Sequence, residues 1–357
     1  MPTLANSVRG RGAHSNATGR YESLAREAFD DGWTVEDAEP HQLKTEVQPE
    51  KARVVITKND SPDIGFDQSI NPYRGCEHGC IYCYARPAHA YMGLSPGLDF
   101  ESKLFFKPHA GTLLEKELSK PTYKPKVIHI GGNTDPYQPQ ERRLRVTRQV
   151  IEVLSRFNHP FSIITKAALI TRDLDVLGPM GAKNLVRAAV SVTTLDRKLA
   201  RSMEPRAATP ERRLDTIRQL SQAGVPTIVM FAPAIPGLND HELEEVLESA
   251  KEAGAVGAGY VALRLPLEIK DLFREWLESD HPDRAKKVMS LVRQIRGGKD
   301  YDSEWGKRMT GQGPVAEMLS KRFEIASRKL GFGRRWDGLD LTQFCVPAKS
   351  GDQLSLL

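Results

Sequence analysis

Three of the four cysteines in this 357-residue chain lie in one short stretch, N-P-Y-R-G-C-E-H-G-C-I-Y-C-Y, as Cys76, Cys80 and Cys83. Their spacing is C-x3-C-x2-C, and the fourth cysteine, Cys345, lies far along the chain. An odd number of thiols this close together, without an even partner set, favours metal binding over disulfide formation. The stretch therefore predicts a metal site held by three thiolates.

The glycines of this stretch support the same prediction. Gly75 and Gly79 each directly precede a cysteine. Glycine allows positive φ, so the loop can turn its amides toward anionic sulfur. A zinc site is an alternative, with His78 or His89 as the fourth ligand. Structural zinc sites usually add a second ligand pair at a distance, and no cysteine pair follows here.

Short apolar runs alternate with amphipathic segments between residues 64 and 265. Strands are predicted at 70–71, 127–131, 161–165, 186–193, 227–232 and 260–263, and helices at 141–157, 210–223 and 239–253. A further short strand at 53–57 is predicted outside the main sheet. Strand, helix and strand at this spacing indicate a parallel α/β architecture, with fewer strands than the eight of a full TIM barrel. We therefore predict a partial (β/α)6 TIM-type barrel with an N-terminal arm and a helical C-terminal extension.

Polar side chains at the carboxyl ends of the predicted strands define a candidate site. Chemistry in parallel barrels takes place at these ends. The candidates combine close backbone approach at glycine with hydrogen-bonding and charged groups. An arginine in the loop after the fourth strand suits a carboxylate or phosphate. The candidate residues are Gly131, Gly132, Asn133, Thr134, Asp135, Lys166, Ser191, Thr193 and Arg206.

The C-x3-C-x2-C spacing, with Tyr82 before the last cysteine, resembles the signature of the radical S-adenosylmethionine (SAM) superfamily. A 4Fe–4S cluster normally takes four thiolates, and in that superfamily the iron without a protein ligand binds SAM. Reduction of the cluster then cleaves SAM to a 5′-deoxyadenosyl radical. The resemblance implies Cys76, Cys80 and Cys83 as cluster ligands, SAM as a cofactor and a reducing electron-transfer protein as a partner. It also implies a six-stranded partial barrel.

The same resemblance suggests roles for the strand-end residues. Residues 131–135 resemble the glycine-rich element that contacts the SAM amino group, with Asn133 where an acidic residue is usual. Lys166 offers a point charge for the SAM carboxylate. Ser191 and Thr193 offer hydroxyls for the ribose or the carboxylate.

Three segments together resemble the spore photoproduct lyase-like branch of the superfamily over roughly residues 65 to 265. They read Y-R-G-C-x3-C-x2-C-Y, G-N-T-D-x-Y-Q-P-x-E and I-T-K. That lyase repairs DNA by splitting a thymine dimer and uses a further cysteine as hydrogen donor. Here the only other cysteine is Cys345, in the tail. Tyr84, Tyr91 and Tyr137 are alternatives for relaying a hydrogen atom, or they are ordinary aromatic residues of the fold.

The two ends of the chain depart from the barrel pattern. Residues 1–50 are polar and predict a mostly disordered or arm-like segment, before a barrel at 51–265 and a basic helical extension at 266–357. Between Trp305 and Trp336, eight Lys and Arg residues accompany two acidic residues, while the whole chain carries +5. With the aromatic residues between them, they predict DNA or RNA binding through 305–336. The alternative is a helical cap with solvated charges.

Two classes of function follow from these patterns. The first is a radical SAM enzyme of lyase or transferase type, acting on an unidentified substrate for which nucleic acid is the leading hypothesis. The second is a non-enzymatic nucleic-acid-binding protein with a structural Fe–S or zinc site. The sequence contains no run of 18 apolar residues, so it predicts no membrane-spanning segment. Its N-terminus has no apolar region, so we expect no secretory signal. Reduced thiols then predict a cytoplasmic protein.

Overall fold

A computed structural model of the chain describes residues 8, 10–22, 43–332 and 338–348. Within these ranges ten strands form a seven-stranded sheet and a three-stranded sheet. The strands are β1 (Glu46–Pro49), β2 (Ile56–Lys58), β3 (Gln68–Ile70), β4 (Tyr73–Arg74), β5 (Lys103–Phe106), β6 (Ile128–Ile130), β7 (Phe161–Thr165), β8 (Val186–Ser191), β9 (Thr227–Ala234) and β10 (Gly257–Ala262). The small sheet has the order β1-β5-β4.

The larger sheet has the order β10-β9-β8-β7-β6-β3-β2. Its first six members in that order are parallel, so their carboxyl ends lie along one rim. The predicted α/β fold with six parallel strands is confirmed. The sheet does not close within the described residues, because β10 and β2 each have a neighbour on one side only. The architecture is that of a partial barrel.

Helices connect the parallel strands and continue after the last one. In the described part of the chain they are α1 (Leu98–Ser102), α2 (Ala110–Leu118), α3 (Glu141–Leu144), α4 (Val146–Arg156), α5 (Leu174–Ala182), α6 (Arg197–Met203), α7 (Pro210–Gln222), α8 (Leu243–Glu252), α9 (Ile269–Asp280), α10 (Pro282–Gln294) and α11 (Pro314–Lys329). Turns of 3₁₀ helix span Arg86–Met92, Ala168–Asp173 and Asp240–Glu242. None of the helices described is long and apolar enough to cross a membrane.

The main core lies between the sheet and the helices that cover its outer face. Alternate strand residues such as Ile163 and Val229 are fully buried against helix residues such as Val150, Leu154 and Leu247. The strand residues between them are only partly buried, as the pattern of β7 shows. This alternation places the partly buried side chains, such as Ser162, Ile164 and Met230, on the inner face of the barrel, below the rim that carries the candidate site.

Strand β2 corrects one sequence-based prediction. The sequence predicts a strand at 53–57 outside the main sheet, but Ile56–Lys58 pairs antiparallel with β3, and Ile56 lies opposite Ile70. The loop between β2 and β3 is closed by a hydrogen bond, in which the amide of Asn59 donates to Asp67 O at 2.8 Å. A short antiparallel strand at this edge pairs the outer side of β3, which would otherwise expose unpaired backbone groups.

The helix predicted at 141–157 is divided in two at Arg145, whose φ is +53°. The reason is the carboxylate of Glu141, which accepts hydrogen bonds from the amides of Thr147 at 2.9 Å and Arg148 at 3.2 Å. These amides belong to the first turn of α4 and have no intrahelical partner. Glu141 therefore stabilises the start of α4, and apolar periodicity alone could not show this break.

A segment after α10 crosses the open side of the barrel. The amide of Ala262 in β10 donates to Met309 O at 2.8 Å, which adds this segment to the free edge of the sheet. Arg308 pairs with Asp63, in the loop between β2 and β3, at 2.5 Å. The amide of Gly306 also donates to Asp63, at 2.7 Å. The two edge strands are thus bridged by polar contacts rather than by strand pairing.

The described part of the N-terminal region, residues 10–22, is here called the arm. Its backbone pairs with the chain before α1, where the amide of Leu98 donates to Ser15 O at 3.2 Å. Two of its side chains reach α9 and its end: Ser15 Oγ donates to Glu275 at 2.7 Å, and His14 Nε2 lies 3.4 Å from Asp280. The arm therefore lies on the surface formed by α1 and α9.

Candidate active site at the cysteine loop

The cysteine loop, residues 75–83, follows β4 at the carboxyl rim of the sheet. Its backbone is held at both ends, because the amide of Cys76 donates to Phe100 O and the amide of Ile81 donates to Met203 O, each at 3.0 Å. Gly75 and Gly79 have φ values of +72° and +70°. A Cβ on Gly75 would also lie 2.7 Å from Leu104 Cδ2. The positive φ values and the close packing at Gly75 therefore agree with the prediction that this loop needs glycine.

The three thiols of the loop are free, and Cys76 and Cys80 are buried while Cys83 is partly buried. Cys76 and Cys80 are 6% and 8% exposed. Burial raises the pKa of all three thiols, and the charges of Asp135, Cys80 and Cys83 raise that of Cys76 further. Thiolates in this position need a bound cation to offset their mutual repulsion. The donor set therefore fits a positively charged metal group.

The histidines of the zinc alternative are engaged elsewhere. His78 Nδ1 lies 3.3 Å from Asp135, and His89 Nε2 lies 2.9 Å from Lys103 O. Among the residues described, no group of three or more His, Cys, Asp and Glu side chains, the three cysteines included, is arranged to hold a metal ion. Neither histidine therefore joins the cysteines in a set of ligands around one ion.

A buried ion pair supports the loop from behind. Arg86 and Glu101 are both fully buried, and Arg86 Nη2 lies 2.5 Å from Glu101 Oε1. The same guanidinium donates to Cys80 O at 2.9 Å and to Gly79 O at 3.1 Å. Glu101 also accepts the amides of Gly12 and Ala13 of the arm, at 2.9 and 2.8 Å. One carboxylate thus joins the cysteine loop to the arm.

The contact between the arm and the cysteine loop depends on glycine at position 12. A Cβ there would lie 1.8 Å from Gly79 O. We expect Gly12→Ala to separate the arm from the loop and to expose Arg11, whose guanidinium now donates to Glu101 O at 2.6 Å. Tryptic cleavage after Arg11 in the native protein should accelerate at least about tenfold, since proteolysis follows the population of the open form.

The matched control is Gly65→Ala, because a Cβ on Gly65 meets nothing within 4 Å. That variant should be cleaved at the wild-type rate. Equal rates for Gly12→Ala and the control would show that the arm does not depend on this contact.

In the glycine-rich turn after β6, some polar groups are hydrogen-bonded within the protein and others are exposed. Gly131 has φ +96°, and a Cβ there would lie 2.7 Å from Ile164 O. Thr134 Oγ1 donates to Tyr73 O at 3.1 Å, so its side chain supports the chain before the cysteine loop. Asn133 is exposed, and its backbone amide donates to Asn71 Oδ1 at 2.8 Å. Gly132 O accepts the hydroxyl of Tyr84.

Asp135 joins the turn after β6 to β7. Its carboxylate accepts from Thr165 Oγ1 at 2.6 Å and from the amide of Lys166 at 2.7 Å. Burial alone would raise the pKa of Asp135, but the charge and hydrogen bond of His78 and the other donors lower it to about 2. Asp135 is therefore a charged group that positions Lys166 and His78. Its predicted contact with SAM stays a prediction.

Lys166, at the end of β7, brings a cation to the cysteine loop. Its Nζ lies 5.7 Å from the ring centroid of Tyr82, and its charge lowers the pKa of Cys80 and Cys83 against the opposing effect of burial. An ammonium this close to buried thiols and to the strand ends is a suitable partner for an anionic ligand group.

A buried polar network lies beneath Lys166, and sequence reasoning missed its central cation. Glu204 accepts from the hydroxyls of Tyr82 and Thr193 and from Arg213. Burial raises the pKa of Glu204, while Arg213 opposes that rise. Arg213 lies on α7, where its position among apolar residues gave no signal of function. Thr193 is fully buried, so its predicted contact with SAM stays a prediction.

The two remaining predicted residues lie at the edges of this network. Ser191 is 2% exposed, and its carbonyl accepts from Arg213 at 3.1 Å. Arg206 pairs with Glu77 of the cysteine loop at 2.7 Å, and its amide donates to His78 O at 3.2 Å. Arg206 thus fixes the loop from outside, and its role toward an anionic ligand stays a prediction.

Of the three tyrosines considered as relays, only Tyr84 lies at the rim beside the cysteines. It is 45% exposed, and the guanidinium carbon of Arg264 lies 4.9 Å from its ring centroid. Tyr91 is 72% exposed and lies against Tyr21 of the arm. Tyr137 is buried and donates to Asp173 at 3.1 Å. Arg264 is a further residue of this rim that sequence reasoning missed.

The C-terminal region offers less free charge and fewer free rings than its sequence predicts. Phe323 packs against Tyr260 with ring centroids 4.8 Å apart, and Phe332 is buried, so neither ring is available for stacking on bases. Trp305 is 59% exposed. Arg334, Arg335 and Trp336 lie outside the described residues. Four cations are paired: Lys307 with Glu304, Arg308 with Asp63, Arg322 with Glu244 and Lys329 with Glu248.

The fold and the cysteine loop together define a class of proteins that place a metal cofactor at the strand ends of a parallel partial barrel. The family model described as the Radical SAM superfamily matches residues 70–250, slightly more than half of the chain. The chain therefore belongs to the radical SAM superfamily. Membership implies a 4Fe–4S cluster and SAM as cofactors, and it makes the chain an enzyme that uses SAM for radical chemistry.

Relatives occur in bacteria, archaea and a virus. An uncharacterised protein of Mycobacterium tuberculosis strain H37Rv is 35% identical over 233 residues, which cover 65% of this chain and 68% of that protein. An uncharacterised protein of Acidianus two-tailed virus is 27% identical over 281 residues, or 77% and 86% of the two chains. An uncharacterised protein of Methanocaldococcus jannaschii is 25% identical over 240 residues, or 67% and 85%.

Solved structures of spore photoproduct lyase have a similar fold. The lyase complexed with dinucleoside spore photoproduct matches with a TM-score of 0.56 at 15% identity, covering 80% of this chain and 79% of the other. A mutant of the lyase with bound AdoMet and dinucleoside spore photoproduct matches with a TM-score of 0.53 at 15% identity, covering 80% and 77%. At this identity the likeness establishes a shared fold.

Proposed function

We propose that the chain holds a 4Fe–4S cluster with Cys76, Cys80 and Cys83 and cleaves SAM reductively at the rim of the barrel. The observation that carries this proposal is the set of three free thiols, two buried and one partly buried, within reach of the charge of Lys166. When bound, the cluster and SAM supply a 5′-deoxyadenosyl radical, as the chemistry of the superfamily implies. The described residues then bind, orient and shield these groups.

The protein's part in this reaction is positioning and charge balance. Lys166 Nζ would pair with the SAM carboxylate, because it is a cation at the end of a parallel strand whose charge acts on both Cys80 and Cys83. Its backbone is fixed by Asp135, which accepts the Lys166 amide. The exposed amide side chain of Asn133 would accept from the SAM amino group. The arm and the Arg86–Glu101 pair cover the far side of the loop and restrict water there.

The test is release of 5′-deoxyadenosine from SAM by the anaerobically reconstituted protein with a strong reductant. Lys166→Ala should raise the Kd for SAM at least about tenfold, since a hydrogen bond to a charged group contributes about 1.5–3 kcal/mol. Lys198→Ala, which removes an exposed lysine on α6, is the matched control and should keep the wild-type Kd. Wild-type affinity in Lys166→Ala would contradict the assigned role, and no 5′-deoxyadenosine from wild type would contradict the proposal.

The substrate and the type of reaction are hypotheses that go beyond the cleavage of SAM. A DNA-repair-like reaction on nucleic acid draws support from the likeness in fold to structures that contain a dinucleoside. A lyase that follows the same chemistry needs a hydrogen donor. Cys345 is exposed, and its sulfur accepts a hydrogen bond from Asn158 rather than from a residue of the site. Nucleic-acid binding through 305–336 stays a prediction, as does the reducing electron-transfer protein. The non-enzymatic alternative is not supported by membership of the superfamily.

A further inference from the structure

Arg264 occupies a place on the rim opposite the side where Lys166 lies. It follows β10 by two residues, whereas Lys166 directly follows β7, and β8 and β9 lie between. Three strand spacings correspond to roughly 14 Å along the sheet. The function proposed above assigns the SAM carboxylate to Lys166. Arg264 therefore needs a partner other than the group proposed for Lys166.

The contacts of Arg264 are neutral. Its guanidinium lies over the ring of Tyr84, with 4.9 Å between the guanidinium carbon and the ring centroid. Its Nη1 lies 3.6 Å from the thioether sulfur of Met309, which is a weak acceptor. Its Nε is buried and has no hydrogen-bond partner. Within the described residues no carboxylate forms an ion pair with Arg264, and Asp63, whose pKa its charge helps to lower, is already paired with Arg308.

Other arginines of the molecule have acceptors that Arg264 lacks. Arg296 is buried and likewise forms no ion pair within the described residues, but its guanidinium donates to three backbone carbonyls, whereas Arg264 donates to no oxygen there. Arg86, Arg206, Arg213 and Arg308 each pair with a carboxylate. A partly buried guanidinium without a counter-ion is costly, because it loses hydration without gaining an opposite charge. Arginine remains charged at all relevant pH values and presents a planar fork that fits an oxyanion with two parallel hydrogen bonds. The missing partner has the chemistry of an oxyanion.

The position of Arg264 relates this oxyanion to the reaction. Tyr84 directly follows Cys83, and its hydroxyl donates to Gly132 O of the glycine-rich turn. A group bound by Arg264 would thus lie one aromatic side chain away from the cysteine loop. Met309 is held in place by the hydrogen bond from the Ala262 amide, so the contacts of Arg264 are fixed by the segment that crosses the open side of the barrel.

We propose that Arg264 binds an oxyanion of the substrate, a phosphate or a carboxylate, at the rim between Tyr84 and Met309. The proposal rests on the function proposed above, because it assigns the oxyanion to the substrate. A substrate with such a group is oriented with its adjoining part over Tyr84, toward the cysteine loop. Arg264 is in this sense a substrate-binding residue rather than a cofactor ligand.

The test measures anion binding by the reconstituted protein without SAM or reductant. Thermal unfolding is followed with inorganic phosphate, dimethyl phosphate or acetate, each against chloride at equal ionic strength. A bound anion raises Tm in proportion to RT ln(1 + [L]/Kd). We expect at least one anion to raise Tm, and Arg264→Gln to weaken its binding at least tenfold. The anion with the largest effect distinguishes a phosphate monoester or diester from a carboxylate.

Arg142→Gln is the matched control, because Arg142 is an exposed arginine on α3. It should show the wild-type response. Arg264→Lys keeps the positive charge but loses the planar guanidinium that forms two parallel hydrogen bonds, so it should also weaken anion binding. It replaces Arg264→Gln in the test if that variant does not fold. An equal response in wild type and the Arg264 variants, or no anion-specific rise in wild type, would overturn the proposal. Because SAM is absent from the assay, a wild type that fails to cleave SAM contradicts only the function proposed above.

Discussion

Replacement of any one of Cys76, Cys80 and Cys83 by alanine should lower the iron content of the anaerobically reconstituted protein from about four atoms per chain to near zero. The physical reason is that each cysteine would hold one iron of the proposed cluster, so a cluster with two remaining protein ligands would be released. Cleavage of SAM should fall to the background level in the same preparations. Iron and sulfide analysis, the visible spectrum and the yield of 5′-deoxyadenosine measure these effects.

Cys345→Ala is the matched control for this series. Cys345 is exposed, and the amide of its side-chain partner Asn158 lies 3.5 Å from its sulfur, away from the cysteine loop. Iron content and SAM cleavage should both stay at wild-type values. One tightly bound zinc per chain in anaerobically prepared wild type, without iron, would disprove the cluster. Loss of SAM cleavage in folded Cys345→Ala would show that this cysteine has been assigned wrongly.

Arg86→Met should lower the free energy of unfolding by about 3–5 kcal/mol, because it leaves the buried carboxylate of Glu101 without its charge partner. Both side chains are fully buried and 2.5 Å apart. The change also removes the donors to Cys80 O and Gly79 O, so the cysteine loop loses part of its support. Denaturant unfolding of the protein before reconstitution measures the effect without a contribution from bound metal.

Arg197→Met provides the comparison for a pair at the surface. Arg197 and Glu211 form an ion pair with both side chains at least half exposed. Removing an exposed pair typically changes stability by less than about 1 kcal/mol. Equal losses for the two variants would mean that the Arg86–Glu101 pair is not a determinant of stability. A double variant, Arg86→Met with Glu101→Leu, should recover only part of the lost stability: no unpaired charge then remains buried, but the amides of Gly12 and Ala13 lose their acceptor.

Local patterns in the sequence were sufficient to predict the six parallel strands and the cysteine loop. Strand β9, for example, follows from a continuous apolar run, and Gly224 after α7 adopts the expected positive φ of +78°. The cysteines are recognisable because their spacing is itself the chemical requirement. Lys166 was predicted at the end of β7 because the carboxyl end of a parallel strand has a fixed place in such folds.

Contacts between distant parts of the chain account for what the sequence did not reveal. Gly12 is essential to the packing only because Gly79 O lies against it, and nothing near Gly12 in the sequence indicates this. Glu141 divides a periodic helix through hydrogen bonds of its side chain. The sequence left open whether the aromatic residues of 305–336 stack on bases or belong to a helical cap, because an exposed ring and a packed ring have the same sequence pattern. Phe323 packs on Tyr260 of β10, as expected of a cap.

The contacts of the arm have a consequence for the order in which the protein is made. The arm leaves the ribosome before the barrel does, yet Glu101, which accepts the amides of Gly12 and Ala13, is made much later. Glu275, the partner of Ser15, is separated from it by 260 positions. Until α9 has been synthesised, the arm lacks the part of its docking surface that Glu275 and Asp280 provide. Docking of the arm can therefore be completed only after most of the chain has left the ribosome.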